Sequence, residues 1–345
     1  MSIHKKLQKN KVFKDTLRKE SDNIEYISSG VIAMNLLHSG YVRGGIAKGT
    51  INMLSADSAL GKSFFGLSFL KNAQKMGMEC LVIDSEKSFD YNWARAIGVD
   101  ISEDKLTVVP TSNIIEIKQL IQIIVEDYNR EQRRNVFVLI DSWGTLVSNV
   151  MLEKASAGKD TQDMSLPRWK NELANLLKEN DCTYYVINHV YDNTGGFGDP
   201  LKVPGGKRLY FNCNSVVLAQ SKARDKDGDE ISGAIVTAYV QKGRTAVEKS
   251  KLQYRINHDG GLDPWYGLLD DAIEGKYVEN PTNGFYSRPC VSDDKKWREK
   301  QLYCSEFWVP IFKNTDFEEY LNNKYSFKGR KIDIAEENVI DLLED

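Results

Sequence analysis

MLSADSALGKSFFGL (residues 53–67) contains Gly61, Lys62 and Ser63, the last three positions of the phosphate-loop pattern G-x-x-x-x-G-K-[ST]. The first glycine of that pattern is replaced by Ala56. If this position requires a positive φ, alanine costs about 1 kcal/mol or more there; if it does not, little is lost. Two interpretations are therefore open: a nucleotide site with one relaxed position, or a surface turn that contains G-K-S by chance.

The flanking sequence favours the nucleotide site. An alternating run, GTINMLS, predicts a strand before the loop, and Phe64–Gly77 has the pattern of a helix after it. A loop between a strand and a helix turns main-chain N–H groups and a helix N-terminus toward an anion. Lys62 would then reach the outer phosphates, and the Ser63 hydroxyl would bind Mg²⁺. The predicted loop residues are Ala56, Asp57, Ser58, Ala59, Leu60, Gly61, Lys62, Ser63 and Phe64.

Three further apolar runs predict buried strands: ECLVIDSE (79–86), NVFVLIDSWG (135–144) and TYYVINH (183–189). Helical patterns at 113–130 and 169–180 separate them. Strands that alternate with helices predict a largely parallel sheet with helices on both faces. From residue 215 to 257 the pattern becomes β-rich, and RDKDGDE is typical of a hairpin turn.

Two carboxylates follow these strands. Asp141 ends VFVLID, next to Ser142, and a carboxylate at that position can bind the Mg²⁺ shell. Glu86 comes just after ECLVIDS and could deprotonate a water that attacks a γ-phosphate. Alone, each would be interpreted as a turn residue or a surface acid. Together with the phosphate loop they predict an ATP site, with Ser63 and Asp141 as metal ligands and with Asp141 and Ser142 among the nucleotide-binding residues.

Composition excludes several classes of protein. The 345 residues are 41% hydrophobic and 28% charged, which is typical of a globular chain. The five cysteines form no C-x-x-C pair, which argues against a zinc knuckle and a disulfide framework. Apolar runs are only strand-length and no secretory signal is recognisable, so we expect a cytoplasmic protein without membrane association. The first 20 residues carry seven Lys or Arg, whereas residues 333–345 carry six acids and no base.

The motif order resembles the RecA-type recombinase family over most of the chain. The phosphate loop is followed by D-S-E, by a buried strand ending in D-S, and by I-N-H. HDGGLDPWYGLLDDAIE, NGFYSRP and CSEFWVPIFK are most similar to the bacteriophage UvsX branch of that family. The resemblance implies an α/β fold: a RecA-like P-loop ATPase core with a mostly parallel sheet, a β-rich extension, an N-terminal helix and a small C-terminal α/β domain. The implied boundaries are 1–30 for an oligomerisation helix and strand, 31–278 for the core, 279–332 for the C-terminal domain and 333–345 for an acidic tail.

The resemblance also implies roles for residues around the nucleotide. Glu86 would be the general base, and His189 would sense the γ-phosphate. Asp90 would contact the adenine edge while Trp93 stacks on the ring. Lys242 and Arg244 would reach across a subunit interface to the ATP of a neighbouring subunit, which makes them catalytic residues in trans.

FGDPLKVPGG (197–206) resembles the second DNA-binding loop of that family. A phenylalanine there would wedge between bases, glycines would allow close approach to phosphates, and basic residues would add cationic contacts. The implied DNA-binding residues are Phe197, Gly198, Lys202, Gly205, Gly206, Lys207 and Arg208. Residues 149–168 occupy the position of the first DNA-binding loop.

The implied function is ATP-dependent DNA strand exchange with ATP and Mg²⁺ as cofactors. Its expected partners are single-stranded and duplex DNA, further copies of the chain in a helical filament, a single-strand-binding protein and a loading mediator. Two alternatives remain open. One is another RecA-fold DNA-dependent ATPase, such as a hexameric helicase or a RadA/Sms-like repair ATPase. The other is a non-catalytic DNA-binding regulator, which the presence of Lys62, Glu86 and Asp141 disfavours.

Overall fold

A computed structural model describes residues 24–159, 161–192, 201–202, 206–227, 230–259, 261–282, 284–291 and 295–327. The predicted N-terminal basic helix and the acidic tail at 333–345 lie outside these ranges. Among the described residues, no helix is both long and apolar enough to cross a membrane.

The strands vary in length from two to 14 residues. They are β1 (Tyr26–Ile27), β2 (Ile46–Ala47), β3 (Ile51–Ala56), β4 (Glu79–Asp84), β5 (Leu106–Val109), β6 (Val136–Asp141), β7 (Thr183–Asn188), β8 (Tyr191–Asp192), β9 (Leu201–Lys202), β10 (Ser215–Asp227), β11 (Glu230–Gly243), β12 (Lys251–Asn257), β13 (Gly261–Leu262), β14 (Glu279–Thr282), β15 (Phe285–Ser287) and β16 (Trp297–Arg298).

The longest helices follow β3, β5 and the 149–165 segment. The helices are α1 (Ile32–Ser39), α2 (Lys62–Lys75), α3 (Tyr91–Ile97), α4 (Ile114–Asp127), α5 (Arg130–Arg134), α6 (Asn149–Ser156), α7 (Leu166–Glu179), α8 (Lys207–Asn212), α9 (Leu269–Glu274), α10 (Ser305–Asn314) and α11 (Phe317–Tyr325). A short 3₁₀ turn covers Glu299–Gln301.

A nine-stranded sheet forms the centre, in the order β13-β12-β11-β10-β3-β7-β6-β4-β5. The strands from β10 to β5 in this order are parallel to their neighbours. From β10 outward, β11, β12 and β13 add antiparallel strands, and β10 and β11 form a long hairpin. The structure thus confirms the predicted α/β fold, with its mostly parallel sheet and its β-rich extension.

The central strands are buried on both faces, as their continuous apolar sequences predict. Along β6, Phe137 and Leu139 belong to one hydrophobic cluster, while Val138 and Ile140 belong to a second. This alternation follows from the pleat, because successive side chains point to opposite faces. The first cluster includes residues of α1 and α2, and the second includes residues of α4 and α7. Helices therefore cover both faces of the sheet.

The C-terminal segment packs against the core through the first cluster. Trp308 and Phe317, on α10 and α11, belong to the same hydrophobic cluster as Leu36 of α1. A three-stranded sheet, β14-β15-β16, precedes these helices. At the border, the Arg255 guanidinium lies over two rings that contact each other, 4.4 Å from the Tyr266 centroid and 4.3 Å from the Tyr303 centroid. The small C-terminal unit with helices and strands is present, and its boundary at 278/279 stays a prediction.

Candidate nucleotide site and nucleic-acid interface

The predicted chemical residues meet at one edge of the sheet. The neighbouring parallel strands β3, β7, β6 and β4 end, respectively, at the phosphate loop, before His189, at Asp141 and before Glu86. The carboxyl ends of parallel strands lie at the same edge of a sheet, and ligands of open α/β sheets bind there. Residues separated by more than 100 positions in the chain thus become neighbours.

The phosphate loop has its unusual backbone at Ala59, not at Ala56. Ala56 is the last residue of β3, is fully buried, and pairs with Ala219 of β10. Ala59 has φ 59°, in the left-handed region that disfavours side chains. Gly61, with φ 81°, precedes α2, and no described side chain caps that N-terminus. The position that lacks the pattern's first glycine is therefore ordinary strand backbone, and alanine is tolerated there.

Strand β12 of the antiparallel extension packs against the phosphate loop. The buried Tyr254 hydroxyl on β12 donates to the Leu60 carbonyl at 2.5 Å, and its ring packs edge-on against Phe65 with centroids 4.9 Å apart. Beside it, a Cβ atom added to Gly61 would lie 2.9 Å from the Ile256 Cδ1 atom. The Ile256 methyl ends a flexible side chain and can shift, so the second glycine of the pattern is required by its backbone conformation, φ 81°.

Lys62 lies almost buried inside the curve of the loop, and its Nζ atom donates to the Asp57 carbonyl at 2.8 Å. Burial lowers the pKa of Lys62, while the negative charges of Asp141, Glu86 and Asp57 oppose that shift. A cation so placed, at the start of α2, suits the phosphates of a nucleotide.

Ser63 and Asp141 lie side by side, since the Ser63 hydroxyl donates to Asp141 Oδ2 at 2.7 Å. Burial raises the pKa of Asp141 to about 6, against the hydrogen bond from Ser63, and the nearby charge of Glu86 adds to the increase. Hydroxyl and carboxylate oxygens are hard donors, which Mg²⁺ prefers, and it takes few protein ligands when phosphates supply the others. The pair therefore fits a magnesium ion shared with a nucleotide.

Glu86 is held by two donors. Its Oε1 atom lies 2.8 Å from His189 Nε2 and accepts a hydrogen bond from the Ser142 hydroxyl at 2.7 Å. Desolvation pushes the pKa of Glu86 upward, but the hydrogen bonds from His189 and Ser142 and the charge of Lys62 bring it below its usual value. Glu86 is therefore an ionised, oriented carboxylate beside the loop.

Ser85 joins the ends of β4 and β6 behind this carboxylate. Its main-chain N–H donates to the Asp141 carbonyl at 2.8 Å, and its hydroxyl accepts from the Ser142 N–H at 2.7 Å. Sequence reasoning missed this role, although a second polar residue directly after the strand in D-S-E was a usable signal. Tyr254 was also missed, and no local signal could have found it because its partner lies 194 positions away.

Trp93 stands at the open side of the loop. The residue is 38% exposed, and its ring meets the Phe64 ring edge to face, with centroids 5.5 Å apart. The Asp90 Oδ1 atom caps α3 by accepting from the Asn92 and Trp93 N–H groups. An exposed aromatic ring beside a phosphate loop is compatible with base stacking. The contacts of Asp90 and Trp93 with adenine stay predictions.

Lys242 and Arg244 lie at the opposite end of the strands from the phosphate loop, near the amino-terminal ends of the parallel strands. Lys242 pairs with Val216 on β10, and Val216 pairs with Met53 near the start of β3, whereas the phosphate loop follows its end. Lys242 Nζ donates to three carbonyls in the last turn of α8 and just after it, at 2.7–2.9 Å: those of Tyr210, Phe211 and Cys213. Arg244 is exposed. The structure does not bring either cation to the nucleotide site of its own chain.

Only part of the predicted DNA-binding set is described. Phe197, Gly198 and Gly205 lie outside the described residues, and Lys202 is described only as part of the β8–β9 hairpin. Gly206 has φ 90° and precedes α8, on which Lys207 and Arg208 are exposed. The segment at the first DNA-loop position contains α6, a helix that the sequence analysis did not predict.

Comparison with known proteins agrees with this geometry. The RecA N-terminal domain family matches residues 1–263, and the C-terminal domain of the bacteriophage T4 recombination and repair protein matches residues 265–321. The recombination and repair protein of Enterobacteria phage T4 is 29% identical over 315 residues, covering 87% of this chain and 79% of that protein. Protein RecA of Rhodopirellula baltica is 27% identical over 316 residues, covering 85% and 80%. Protein RecA of Clostridium tetani is 26% identical over 268 residues, covering 76% and 73%. The chain therefore belongs to the RecA family of recombinases, with a C-terminal segment of the phage T4 type.

Proposed function

We propose that this chain is a DNA-dependent ATPase that assembles into helical filaments on single-stranded DNA and exchanges strands with a homologous duplex. The main observation behind the proposal is that a phosphate loop, a Ser63–Asp141 pair and a Glu86–His189 pair lie together at the carboxyl ends of neighbouring parallel strands. A surface turn with a chance G-K-S would not be surrounded by these groups. A decayed nucleotide site would not retain all of them.

Lys62 and the N-terminus of α2 would bind the phosphates of ATP by charge and by main-chain N–H groups. Ser63 and Asp141 would hold Mg²⁺, which when bound spreads the charge of the β- and γ-phosphates. The Asp141 carboxyl, with its raised pKa, would lose its remaining proton as the cation binds. Trp93 and Asp90 would bind the adenine at the open side of the loop.

Glu86 would orient a water for in-line attack and accept its proton. The two donors on Glu86 Oε1 restrict its rotation, and this is the positional control that a general base needs. His189 would contact the γ-phosphate from the end of β7, so the residue that senses ATP also touches the residue that hydrolyses it.

Lys242 and Arg244 would act on the ATP of a neighbouring subunit. Their place at the opposite end of the strands supports this role, since they are distant from the loop of their own chain. A filament with ATP between subunits then becomes stable while the γ-phosphate is present and weakens after hydrolysis. Single-stranded DNA would contact residues 149–168 and 197–208, and the filament would work with a single-strand-binding protein and a loading mediator.

The deciding experiment measures ATP turnover with and without single-stranded DNA and images the same samples by electron microscopy. We expect DNA to stimulate turnover and helical filaments to form with ATP. Glu86→Gln is the matched control because it keeps the size and hydrogen bonding of the side chain: it should form filaments but not hydrolyse. Closed rings, or turnover indifferent to DNA, would refute the recombinase assignment in favour of another RecA-fold ATPase.

A further inference from the structure

Lys170 is a nearly buried cation that the proposed chemistry does not use. It lies on the second turn of α7, with 9% of its surface exposed. Its Nζ atom donates to two main-chain carbonyls, those of Trp143 at 3.2 Å and Gly144 at 3.3 Å. Burial lowers the pKa of Lys170 to about 8. A buried ammonium group costs free energy unless its contacts compensate, so Lys170 depends on the two hydrogen bonds that it donates.

The two carbonyls belong to the turn that carries the partner of Glu86. Trp143 and Gly144 directly follow Ser142, whose hydroxyl donates to Glu86 Oε1 at 2.7 Å. The ring of His189, the other donor to Glu86, lies close to the same turn, since a Cβ atom added to Gly144 would be 3.3 Å from its Cδ2 atom. A shift of this turn would therefore move the Ser142 hydroxyl and change the packing beside the His189 ring.

The other end of the connection is the base of the 149–165 segment. Asp163 accepts hydrogen bonds from the Ser148 hydroxyl before α6 and from the Ser165 N–H and hydroxyl just before α7. The Asp163 carboxylate thus ties the two ends of the segment together at the start of α7. Lys170 follows one turn later on the same helix. The start of α7 is thus hydrogen-bonded to the segment through Asp163 and to the turn after β6 through Lys170.

We propose that Lys170 is a positioning residue that transmits the placement of the 149–165 segment to Glu86. This inference rests on the proposed function, because it assumes that the segment meets DNA and that Glu86 is the base. Lys170 touches neither the nucleotide nor the DNA in this scheme. It fixes the main chain at Trp143 and Gly144, and the turn then fixes the Ser142 hydroxyl on Glu86.

The test compares Lys170→Met with wild-type protein in the full chain. We expect kcat with single-stranded DNA to fall about 10- to 100-fold, the range found when groups that orient a reactive centre are removed. The KM for ATP should change less than about twofold, because the phosphate loop is untouched. The ratio of stimulated to unstimulated turnover should fall toward one. Lys170→Gln keeps an amide donor, so its kcat with single-stranded DNA should lie between those of wild-type protein and Lys170→Met. It replaces the methionine variant in the test if that variant fails to fold.

Lys118→Met is the matched control. Lys118 also packs on α7, with Nζ 2.8 Å from Glu172 and 4.7 Å from the Trp169 centroid, but none of its contacts with the described residues is to a carbonyl of the turn. The Lys118→Met variant should keep the wild-type ratio of DNA-stimulated to unstimulated ATP turnover. A Lys170 variant that behaves like Lys118→Met, or that loses activity only in proportion to its unfolded fraction, would overturn the proposal.

A double-mutant cycle with Ser142→Ala separates positioning from general destabilisation. If both residues act on Glu86 through one turn, the double variant should lose little more turnover than the more damaged single variant. Independent effects would multiply, and that result would contradict the inference. Wild-type protein without DNA-stimulated hydrolysis would instead refute the proposed function, so the two failures are distinguishable.

Discussion

Two alanines of the phosphate loop differ in what their backbones require. Ala56 is a buried strand residue whose neighbours lie in the sheet, so a side chain there is normal. Ala59, three residues on, is exposed and has a positive φ, which L-residues other than glycine disfavour. The departure from the phosphate-loop pattern therefore costs little where the sequence shows it. The strain lies at a position that the pattern leaves free.

Opposite effects are expected from glycine at these positions. Ala59→Gly should raise the free energy of unfolding by about 1 kcal/mol, because it relieves the left-handed backbone. Ala56→Gly should lower it by about 0.5–1 kcal/mol, since glycine in a strand loses more conformational freedom on folding. Denaturant unfolding of wild-type protein, Ala59→Gly and Ala56→Gly measures both changes in the free energy of unfolding. The ATP affinity of the same three proteins is measured in parallel. A stability gain for Ala56→Gly would mean that the first position carries the strain after all.

The antiparallel extension contributes to the nucleotide site through β12. Its Tyr254 crosses beneath the loop to the Leu60 carbonyl, and both groups are buried. In Tyr254→Phe the ring keeps its packing on Phe65 while the carbonyl loses its donor, a loss of about 1–3 kcal/mol. We expect weaker ATP binding, by about 5- to 30-fold for the lower part of that range. Calorimetric titration with a non-hydrolysable ATP analogue measures it.

Tyr185→Phe is the internal comparison for that variant. The Tyr185 hydroxyl is equally buried but has no hydrogen-bond partner among the described residues. Removing it should leave ATP affinity unchanged and should not lower stability, because no hydrogen bond is lost. If both variants weakened ATP binding alike, the effect would come from core packing and not from the loop contact.

Elements with strong periodicity were predictable from the sequence, and long-range side-chain contacts were not. Apolar runs of strand length predicted β4, β6 and β7, and the residues at or after the ends of two of them predicted that Glu86 and Asp141 would lie at the nucleotide site, whereas the place of His189 was implied by the family resemblance. By contrast, α6 was missed because its apolar residues are mostly exposed and provide no clear core-facing stripe. Lys170 and Tyr254 act on main-chain carbonyls, and a carbonyl has no residue signature that a sequence pattern can detect.

At the level of the assembled protein, the proposed trans role of the second cation is testable by mixing. Arg244 is the better probe, since Lys242 also binds carbonyls in the last turn of α8 and just after it, and its removal would damage the fold. Arg244→Ala and Glu86→Gln should each lack DNA-stimulated turnover. In an equal mixture, about one quarter of interfaces would join an intact Glu86 to an intact Arg244, so activity should reappear.

The mixing experiment needs a control that changes charge but not the proposed interface. Lys251→Ala removes an exposed cation from β12 and should retain wild-type turnover both alone and in the mixture. Arg244→Ala is titrated against Glu86→Gln, and ATP turnover is measured at each ratio of the two variants. No recovery at any ratio, with filaments still visible, would exclude action across the interface.

The single hydrophobic cluster that joins the sheet to the C-terminal helices has a consequence for limited proteolysis. Trp308 and Phe317 lie in that cluster together with Leu36, which is more than 270 positions away from both in the chain. A protease that cut the connection between β15 and β16 would break one peptide bond and leave the packed side chains in place. The two fragments would then stay associated in native buffer and separate only in denaturant, so the nicked protein would migrate as one particle on gel filtration.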